Sequence, residues 1–165
     1  GEGGQGGGKD GVSADGKTIV VFSDDLDRAL ASFVIADGAA SAGRKVTLFF
    51  TFWGLNVIKR KATVPVKKDM AGKMLPSGSR KLALSKLNLG GIGSRMMRGM
   101  MKNKKIDSLE TLMEQAKANG VEFIACRMSM EVMGIKAEEL LDGVKIGGVA
   151  TYLERAEQAN INLFI

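Results

Sequence analysis

The chain has 165 residues, a formal net charge of +6, one cysteine and no histidine, and its length suffices for one domain with its own core. A single cysteine excludes an internal disulfide, a CxxC redox pair and a cysteine-rich zinc site, and the lack of histidine excludes Ser-His-Asp and Cys-His catalysis. No apolar run approaches the roughly 18 residues of a membrane span. A lone thiol suits a reducing cytoplasm, so we expect a cytoplasmic protein.

The first residues differ in composition from the rest of the chain. Residues 1–16 are rich in glycine and have no hydrophobic period. This composition predicts a flexible linker or a remnant of cloning rather than a folded element. We therefore expect one folded domain over 17–165.

The domain begins with a pattern typical of a parallel βαβ unit. A β-branched run over 17–23 predicts a strand, and a second buried strand is predicted over 45–52. Between them, Ser23 and the acids after it predict a helix start, and Gly43 predicts its end. The second strand runs into a predicted turn that contains Trp53 and Gly54. The helix has an apolar face formed by Leu26, Leu30, Phe33 and Val34.

A basic segment over 59–105 follows. It holds fourteen Lys or Arg and one acid, so its formal charge is +13 in a chain of +6. Its prolines and glycines predict an irregular insertion between two halves of a sheet. A predicted helix over 94–102 carries four methionines on one face, which can pack on the protein's own core or on a sister subunit, dock a partner, or lie on a membrane surface. These methionines are Met96, Met97, Met100 and Met101.

The remaining elements alternate between helix and strand. Asp107 and Glu110 resemble a capping box at the start of a helix, and a short apolar strand ends at Cys126. The whole pattern predicts a three-layer α/β/α fold with a mostly parallel five-stranded sheet and a basic, Met-rich insertion. The predicted elements are a helix over 107–120, a strand over 121–126, a helical turn to 133, a helix over 136–143 with Leu140 and Leu141 inward, a strand over 144–147, a helix over 149–159 and a strand over 160–165.

The loops after parallel strands gather at one edge of such a sheet, which is where open α/β sheets bind ligands. Cys126 is the strongest nucleophile expected there, and the start of the next helix would favour its thiolate. The alternative is that Cys126 is a small buried hydrophobic residue, as free cysteines often are. The residues expected around the thiol are Ser23, Asp25, Trp53, Gly54, Arg127, Met128 and Ser129, with the Met face of 94–102 docking partners.

Two other motifs are weaker. The run 90–93 is glycine-rich but matches neither GxGxxG nor a P-loop, which makes nucleotide binding there unfavoured. Asp25 and Asp27 after the first strand have the composition of a magnesium site, although acids are far commoner at helix starts. We therefore expect neither a metal nor a cofactor.

Four stretches of the chain resemble the DsrE/DsrF-like family, in its branch of peroxiredoxin-like and sulfurtransferase-like proteins. Together these stretches extend over essentially residues 17–165. The stretches are Phe52-Trp53-Gly54-Leu55, Leu84 to Gly93 (LSKLNLGGIG), Cys126 to Ile135 (CRMSMEVMGI), and the carboxyl end from Tyr152-Leu153 to Leu163-Phe164-Ile165.

The resemblance implies a role in sulfur relay. Family members with a cysteine at this strand end carry sulfur as a persulfide and exchange it with TusA-like or rhodanese-like carriers, and Cys126 is the matching position. It also implies a homo-oligomer. Some relatives use a second cysteine, which this chain lacks, so a resolving thiol would come from a partner. The alternative function is a non-catalytic oligomeric scaffold. Membrane-surface contact stays open, and the basic segment lacks the interleaved aromatics of nucleic-acid binding.

Overall fold

The computed structural model describes residues 14–60, 95, 97–98 and 108–165. The five strands described are β1 (Gly16–Val21), β2 (Val46–Phe50), β3 (Glu122–Cys126), β4 (Lys145–Gly147) and β5 (Ala159–Phe164). The α-helices with described bounds are α1 (Leu26–Ser41), α2 (Leu109–Ala118), α3 (Arg127–Met133) and α4 (Val149–Glu157). Two 3₁₀ helices, Phe52–Ile58 and Ala137–Glu139, complete the described elements. Residues 1–13 lie outside them, so the linker at 1–16 stays a prediction.

The strands form one sheet in the order β4-β3-β2-β1-β5. Every pair of neighbouring strands is parallel. The predicted α/β fold with a five-stranded sheet is therefore confirmed, and the sheet is wholly parallel. All five residues of β2 are buried, as is typical of a central strand covered on both faces.

One face of the sheet carries the main hydrophobic core. Helices α1 and α2 pack there, and residues from α3 and the first 3₁₀ helix join the same cluster. The ring of Phe33 on α1 lies 5.7 Å from that of Phe123 and 6.3 Å from that of Phe50. Methionines on the inner side of α3, Met130 and Met133, extend this core. We call this the α1 face.

The described residues cover the opposite face, which we call the α4 face, with a smaller cluster. Its buried cluster consists of Phe49, Ile124 and Cys126, with Tyr152 of α4 packed against it. No residue of α4 is fully buried. Since buried apolar area is the main source of packing stability, α4 is held less firmly by packing than α1 or α2.

The predicted helix over 136–143 is wrong. The structure has only the 3₁₀ helix Ala137–Glu139 there, and Leu140 then forms an isolated antiparallel bridge with Lys59. The next N–H, that of Leu141, donates to the Ile58 carbonyl at 2.9 Å. A helix would need these backbone groups for its own i to i−4 hydrogen bonds. In this structure they pair instead with the backbone at the end of the first 3₁₀ helix.

Three smaller predictions also need correction. The cap of α2 is Ser108, whose hydroxyl accepts from the Thr111 N–H at 3.2 Å, whereas Asp107 lies outside the described residues. Val34 points away from the core and is 57 % exposed, because α1 presents Phe33 inward. The turn at 51–54 is the beginning of a two-turn 3₁₀ helix.

Among the described helices, none combines the length and the hydrophobicity that crossing a bilayer requires.

Glu122 ties α4 to the sheet by charge. Its carboxylate accepts hydrogen bonds from Arg155 Nε on α4 at 2.8 Å and from Lys145 Nζ on β4 at 2.7 Å. Thr47 Oγ1 lies 3.3 Å from the same carboxylate. The hydrogen bond from Arg155, together with that from Lys145, outweighs burial and lowers the pKa of Glu122 to about 2.

We expect Glu122→Gln to lower the free energy of unfolding at neutral pH by about 1 kcal/mol, the scale of a partly exposed ion pair. The lowered pKa fixes the pH dependence: the contribution is complete above the unfolded-state pKa of 4.5 and is lost as the pH falls through about 2. Urea unfolding of both proteins at several pH values measures the difference. Glu157→Gln, at an exposed position of α4, is the control, and a difference that stays constant down to the lowest pH contradicts the assignment.

Candidate functional site

Cys126 is the last residue of β3 and the residue that precedes α3. It pairs in register with Gly147, the last residue of β4. Both residues lie at the carboxyl edge of the sheet, since all strands run the same way. Cys126 therefore stands at the end of a strand, as the sequence pattern predicts.

The Cys126 side chain is buried on the α4 face and is only 3 % exposed. Its cluster partners are Phe49, Ile124 and the ring of Tyr152, and the rings of Phe49 and Tyr152 lie 5.2 Å apart. The side chain makes no cap hydrogen bond to the N–H groups at the start of α3. In this conformation the thiol is buried in an apolar cluster, and Tyr152 of α4 packs against that cluster.

The residues after Cys126 divide between solvent and interior. Arg127 is exposed, and Met128 is 55 % exposed. Ser129 is fully buried, and its hydroxyl oxygen has no hydrogen-bond partner among the described residues. The cation next to the thiol in sequence is thus available at the surface.

Ser23 and Asp25 form a tight polar turn after β1. The Ser23 hydroxyl lies 3.0 Å from the Asp25 carboxylate and accepts from the Asp25 N–H at 3.1 Å. Asp25 is the residue that precedes α1, and its carboxylate also lies 3.9 Å from Arg28. These contacts all belong to the start of α1, so they explain the positions of both side chains without a ligand.

Asp24, between them, is part of a polar chain that runs inward. Its carboxylate accepts from Asn56 Nδ2 at 3.0 Å, and Lys59 Nζ donates to Asn56 Oδ1 at 3.2 Å. Burial raises the pKa of Asp24, more than the hydrogen bond from Asn56 lowers it. In the described part of the chain, no group of three or more His, Cys, Asp or Glu is placed to hold a metal ion.

Gly54 brings the loop after β2 over the end of β1. Its N–H lies 2.9 Å from the carbonyl oxygens of both Phe22 and Thr51. A Cβ at this position would lie 1.9 Å from the Val21 carbonyl oxygen, so only glycine allows the approach. Trp53 beside it is half exposed.

The residues expected around the thiol therefore form two groups. Ser23, Asp25 and Gly54 gather over the end of β1, while Arg127 follows Cys126 at the end of β3. No hydrogen bond between described residues joins the thiol to the first group. The strand-end loops share an edge, but their side chains are not all directed at the sulfur.

Of the Met face over 94–102, only part can be described. Met97 is partly buried and packs against the main core, as the first of its predicted roles requires. Met96 and Met100 lie outside the described residues. Arg98 Nη1 lies 3.3 Å from a carboxylate oxygen of Glu110 on α2, which links this segment to the α1 face.

Tyr152 and Phe49 are residues of the site that sequence reasoning missed. The sequence predicts for Tyr152 only a place in the helix over 149–159, yet its side chain packs against the thiol cluster. The available signal was strand alternation: in the parallel register Phe49 pairs with Ile124, which lies two residues before Cys126 on the same face.

Four apolar side chains at the carboxyl edge of the sheet and on α4 are exposed. The rings of Phe22 and Phe164 stack with centroids 5.4 Å apart, and Phe164 is 70 % exposed. On α4, Val149 and Leu153 are at least half exposed. We call these four residues the apolar patch.

Comparison with known proteins identifies the family of the chain. The model of the DsrE/DsrF/DrsH-like family matches residues 14–164. The chain belongs to this family. Among curated proteins, it is 45 % identical over 152 residues to the uncharacterized protein YrkE of Bacillus subtilis strain 168, an alignment that covers 90 % of this chain and 95 % of YrkE.

A second DsrE-like relative has a functional name. The chain is 34 % identical over 152 residues to the sulfur carrier protein DsrE2 of Allochromatium vinosum, which covers 89 % of this chain and 96 % of that protein. Solved structures agree on the fold. The crystal structure of the ychN protein from E. coli has a TM-score of 0.54 at 12 % identity, covering 92 % of this chain and 99 % of its own, and MTH1491 from Methanobacterium thermoautotrophicum has a TM-score of 0.50 at 15 % identity, covering 90 % and 99 %.

We expect Gly54→Ala to destabilise the protein by about 2 kcal/mol or more, since the added methyl collides with rigid backbone. Gly38→Ala is the matched control: its Cβ would meet nothing within 4 Å, and in the middle of α1 it should stabilise by up to about 1 kcal/mol. Thermal and urea unfolding of both variants measure the difference. Equal effects would contradict the close approach at Gly54.

We expect Tyr152→Ala to raise the alkylation rate of Cys126 in the native protein by about tenfold, because loss of the ring contacts makes local opening of α4 cheaper. Glu157→Ala, which removes an exposed side chain of α4 outside the apolar patch, should leave the rate near that of wild type. The measurement is the pseudo-first-order rate with a small maleimide. If the two variants react equally fast, Tyr152 is not the cover of the thiol.

Proposed function

We propose that this protein is a sulfur carrier that holds sulfur as a persulfide on Cys126 and passes it to a partner thiol. The observation that carries the proposal is the place of its one cysteine, at the carboxyl end of β3, in a chain of the DsrE/DsrF/DrsH-like family. The relative named sulfur carrier protein DsrE2 aligns over most of both chains and supports the same role.

The proposed exchange needs neither a metal nor imidazole. The Cys126 thiolate attacks the outer sulfur of a donor persulfide, the donor's S–S bond breaks, and the donor leaves as a thiolate. Cys126 then holds the extra sulfur as a persulfide anion. An acceptor thiolate attacks that outer sulfur, a new S–S bond forms on the acceptor, and Cys126 is released as a thiolate. Each step conserves atoms and electrons, and its net effect is to move one sulfur atom from one thiolate to another.

Access to the thiol is the main requirement of this mechanism. Cys126 belongs to a small cluster against which Tyr152 packs, and not to the main core. No residue of α4 is fully buried, so local displacement of this helix breaks few apolar contacts. Low-stability segments are where such openings occur in native proteins. We infer that partner docking and displacement of the start of α4 take place together.

The surface around the cover has features that a partner can use. The apolar patch offers exposed area on the same face, and Trp53 offers a further exposed aromatic residue at the carboxyl edge. Arg127, exposed beside the thiol, would attract the persulfide anion once the site opens. A TusA-like or rhodanese-like carrier is the expected partner, and the +13 segment over 59–105 would steer an acidic one.

The apolar patch also fits a second copy of this chain, and we propose a homo-oligomer as the resting assembly. Exposed apolar patches on soluble proteins commonly mark interfaces. Two residues of the patch, Val149 and Leu153, share α4 with Tyr152, so an oligomer formed through them would control access to Cys126.

The alternative is a non-catalytic scaffold in which Cys126 only packs. The 3 % exposure of Cys126 and its apolar neighbours favour this function. The two functions differ in one property of the native protein. A carrier thiol reacts with a small alkylating reagent at neutral pH without denaturant, whereas a packing thiol reacts only after the protein unfolds.

We expect incubation with a persulfide donor to add the mass of one sulfur atom to the wild-type protein, detected by intact mass spectrometry. Cys126→Ser should gain nothing, because it has no sulfur acceptor of comparable nucleophilicity. The added sulfur should be removed by a second protein thiol and by dithiothreitol. No added mass on the wild-type protein, or equal addition to Cys126→Ser, would contradict the carrier proposal.

A further inference from the structure

A cavity of about 770 Å³ lies at the amino-terminal edge of the sheet, at the far end of the strands from Cys126. Its walls include the connections into β1, β2, β3 and β4 and the last turn of α4. Glu122 in the cavity and Cys126 are the first and last residues of β3, so they are about 13 Å apart along the strand. The cavity is therefore separate from the thiol, although the last turn of α4 forms part of its wall.

Positive charge exceeds negative charge in this cavity. Lys17, Lys45, Lys145 and Arg155 line it, against Asp15 and Glu122. Both carboxylates are already paired. Glu122 binds Lys145 and Arg155 at 2.7 and 2.8 Å, and Asp15 binds Arg44 at 2.6 Å.

Two ammonium groups in the cavity remain without an acidic partner among the described residues. Lys17 Nζ donates to the carbonyl oxygen of Asp15 at 2.8 Å and to the amide oxygen of Asn160 at 2.5 Å, and both acceptors are neutral. The Lys45 ammonium has no hydrogen bond or ion pair with a described residue. These two charges are available to an anion.

The distribution of charge in the chain makes this edge unusual. Outside the basic segment, residues 17–58 and 106–165 hold nine Lys or Arg and fourteen Asp or Glu, a formal charge of −5. Five of those nine cations belong to this edge: Lys17, Arg44, Lys45, Lys145 and Arg155. Helices α1, α2 and α4 also end here, and their carbonyl ends attract part of this charge. The attraction of the helix ends explains why cations lie near them, but it does not explain the open cavity that these cations line.

The cavity also has apolar walls. Val46, Val121 and Phe123 line it and are buried. Gly43, Gly120 and Gly143 stand at its rim, where a Cβ on any of them would meet nothing within 4 Å. The volume falls within the range of small-molecule sites, which combine apolar walls with a few charged groups.

We propose that this cavity is a second ligand site, which binds a phosphorylated organic anion of nucleotide size. Lys17 and Lys45 neutralise its phosphate groups, and Val46 and Phe123 contact its organic part. Lysines bind phosphate as point charges and need no bidentate geometry. The site is independent of sulfur chemistry and stands whether or not Cys126 carries a persulfide.

Isothermal titration of the full chain with ADP, at fixed ionic strength, tests the proposal. We expect one ADP per chain, and Lys17→Ala/Lys45→Ala should weaken its binding by about tenfold or more, since each lysine supplies a charge-assisted contact. Inorganic pyrophosphate should bind more weakly than ADP, because it cannot contact the apolar walls. Pyrophosphate binding as tight as ADP binding would remove the organic part of the proposal.

The control variant removes the same charge from elsewhere. Arg28→Ala/Lys136→Ala takes two exposed cations from outside the cavity, and it should bind ADP as wild type does. Equal weakening in both double variants would reduce the effect to net charge and overturn the site. Amide NMR gives the location: ADP should shift Gly43, Gly120 and Gly143, whereas shifts confined to 59–105 would assign binding to the basic segment and contradict the proposal.

Discussion

Parallel pairing of β2 between β1 and β3 is the constraint on which the rest of the molecule depends. Because all five strands point the same way, each strand-to-helix connection is delivered to one edge and each helix-to-strand connection to the other. Cys126 is placed by this geometry alone. The same pairing gathers Lys17, Lys45 and Lys145 at the opposite edge, although they belong to three different strands or their approaches. Two chemically distinct ends thus arise from one backbone rule.

The two faces of the sheet are not equivalent, and the difference bears on the thiol. On the α1 face, aromatic rings of Phe33, Phe50 and Phe123 pack within 6.3 Å of one another. On the α4 face, the described residues place one helix, α4, which has no fully buried residue and is held by a small cluster and by the ion pair between Glu122 and Arg155. The buried thiol lies under the lightly held side. Burial therefore protects a side chain less on the α4 face than on the α1 face.

Much of the architecture was predictable from sequence, because strand and helix periods are local signals. The predicted bounds of the strands and of α1 lie within a few residues of the observed ones. The helix over 136–143 failed because Leu140 and Leu141 were assigned to a helix face, whereas their backbone joins Ile58 and Lys59, far away in sequence. The end of β3 could be placed at Cys126, but the cover provided by Tyr152 depends on where α4 crosses the sheet. Likewise, the pairing of Glu122 with Arg155 needs a tertiary contact that no local pattern contains.

The pairing of β1 with β5 has a consequence for how the molecule reaches its native state. Thr18 and Asn162, whose side chains hydrogen-bond across these strands, are 144 residues apart in sequence. Such distant pairing slows folding, since a long loop must close before the contact contributes. Until β5 arrives, the outer side of β1 is an unpaired strand edge, open to the wrong neighbour. Pairing with β5 therefore covers an edge of β1 that a partly folded chain would expose to other chains.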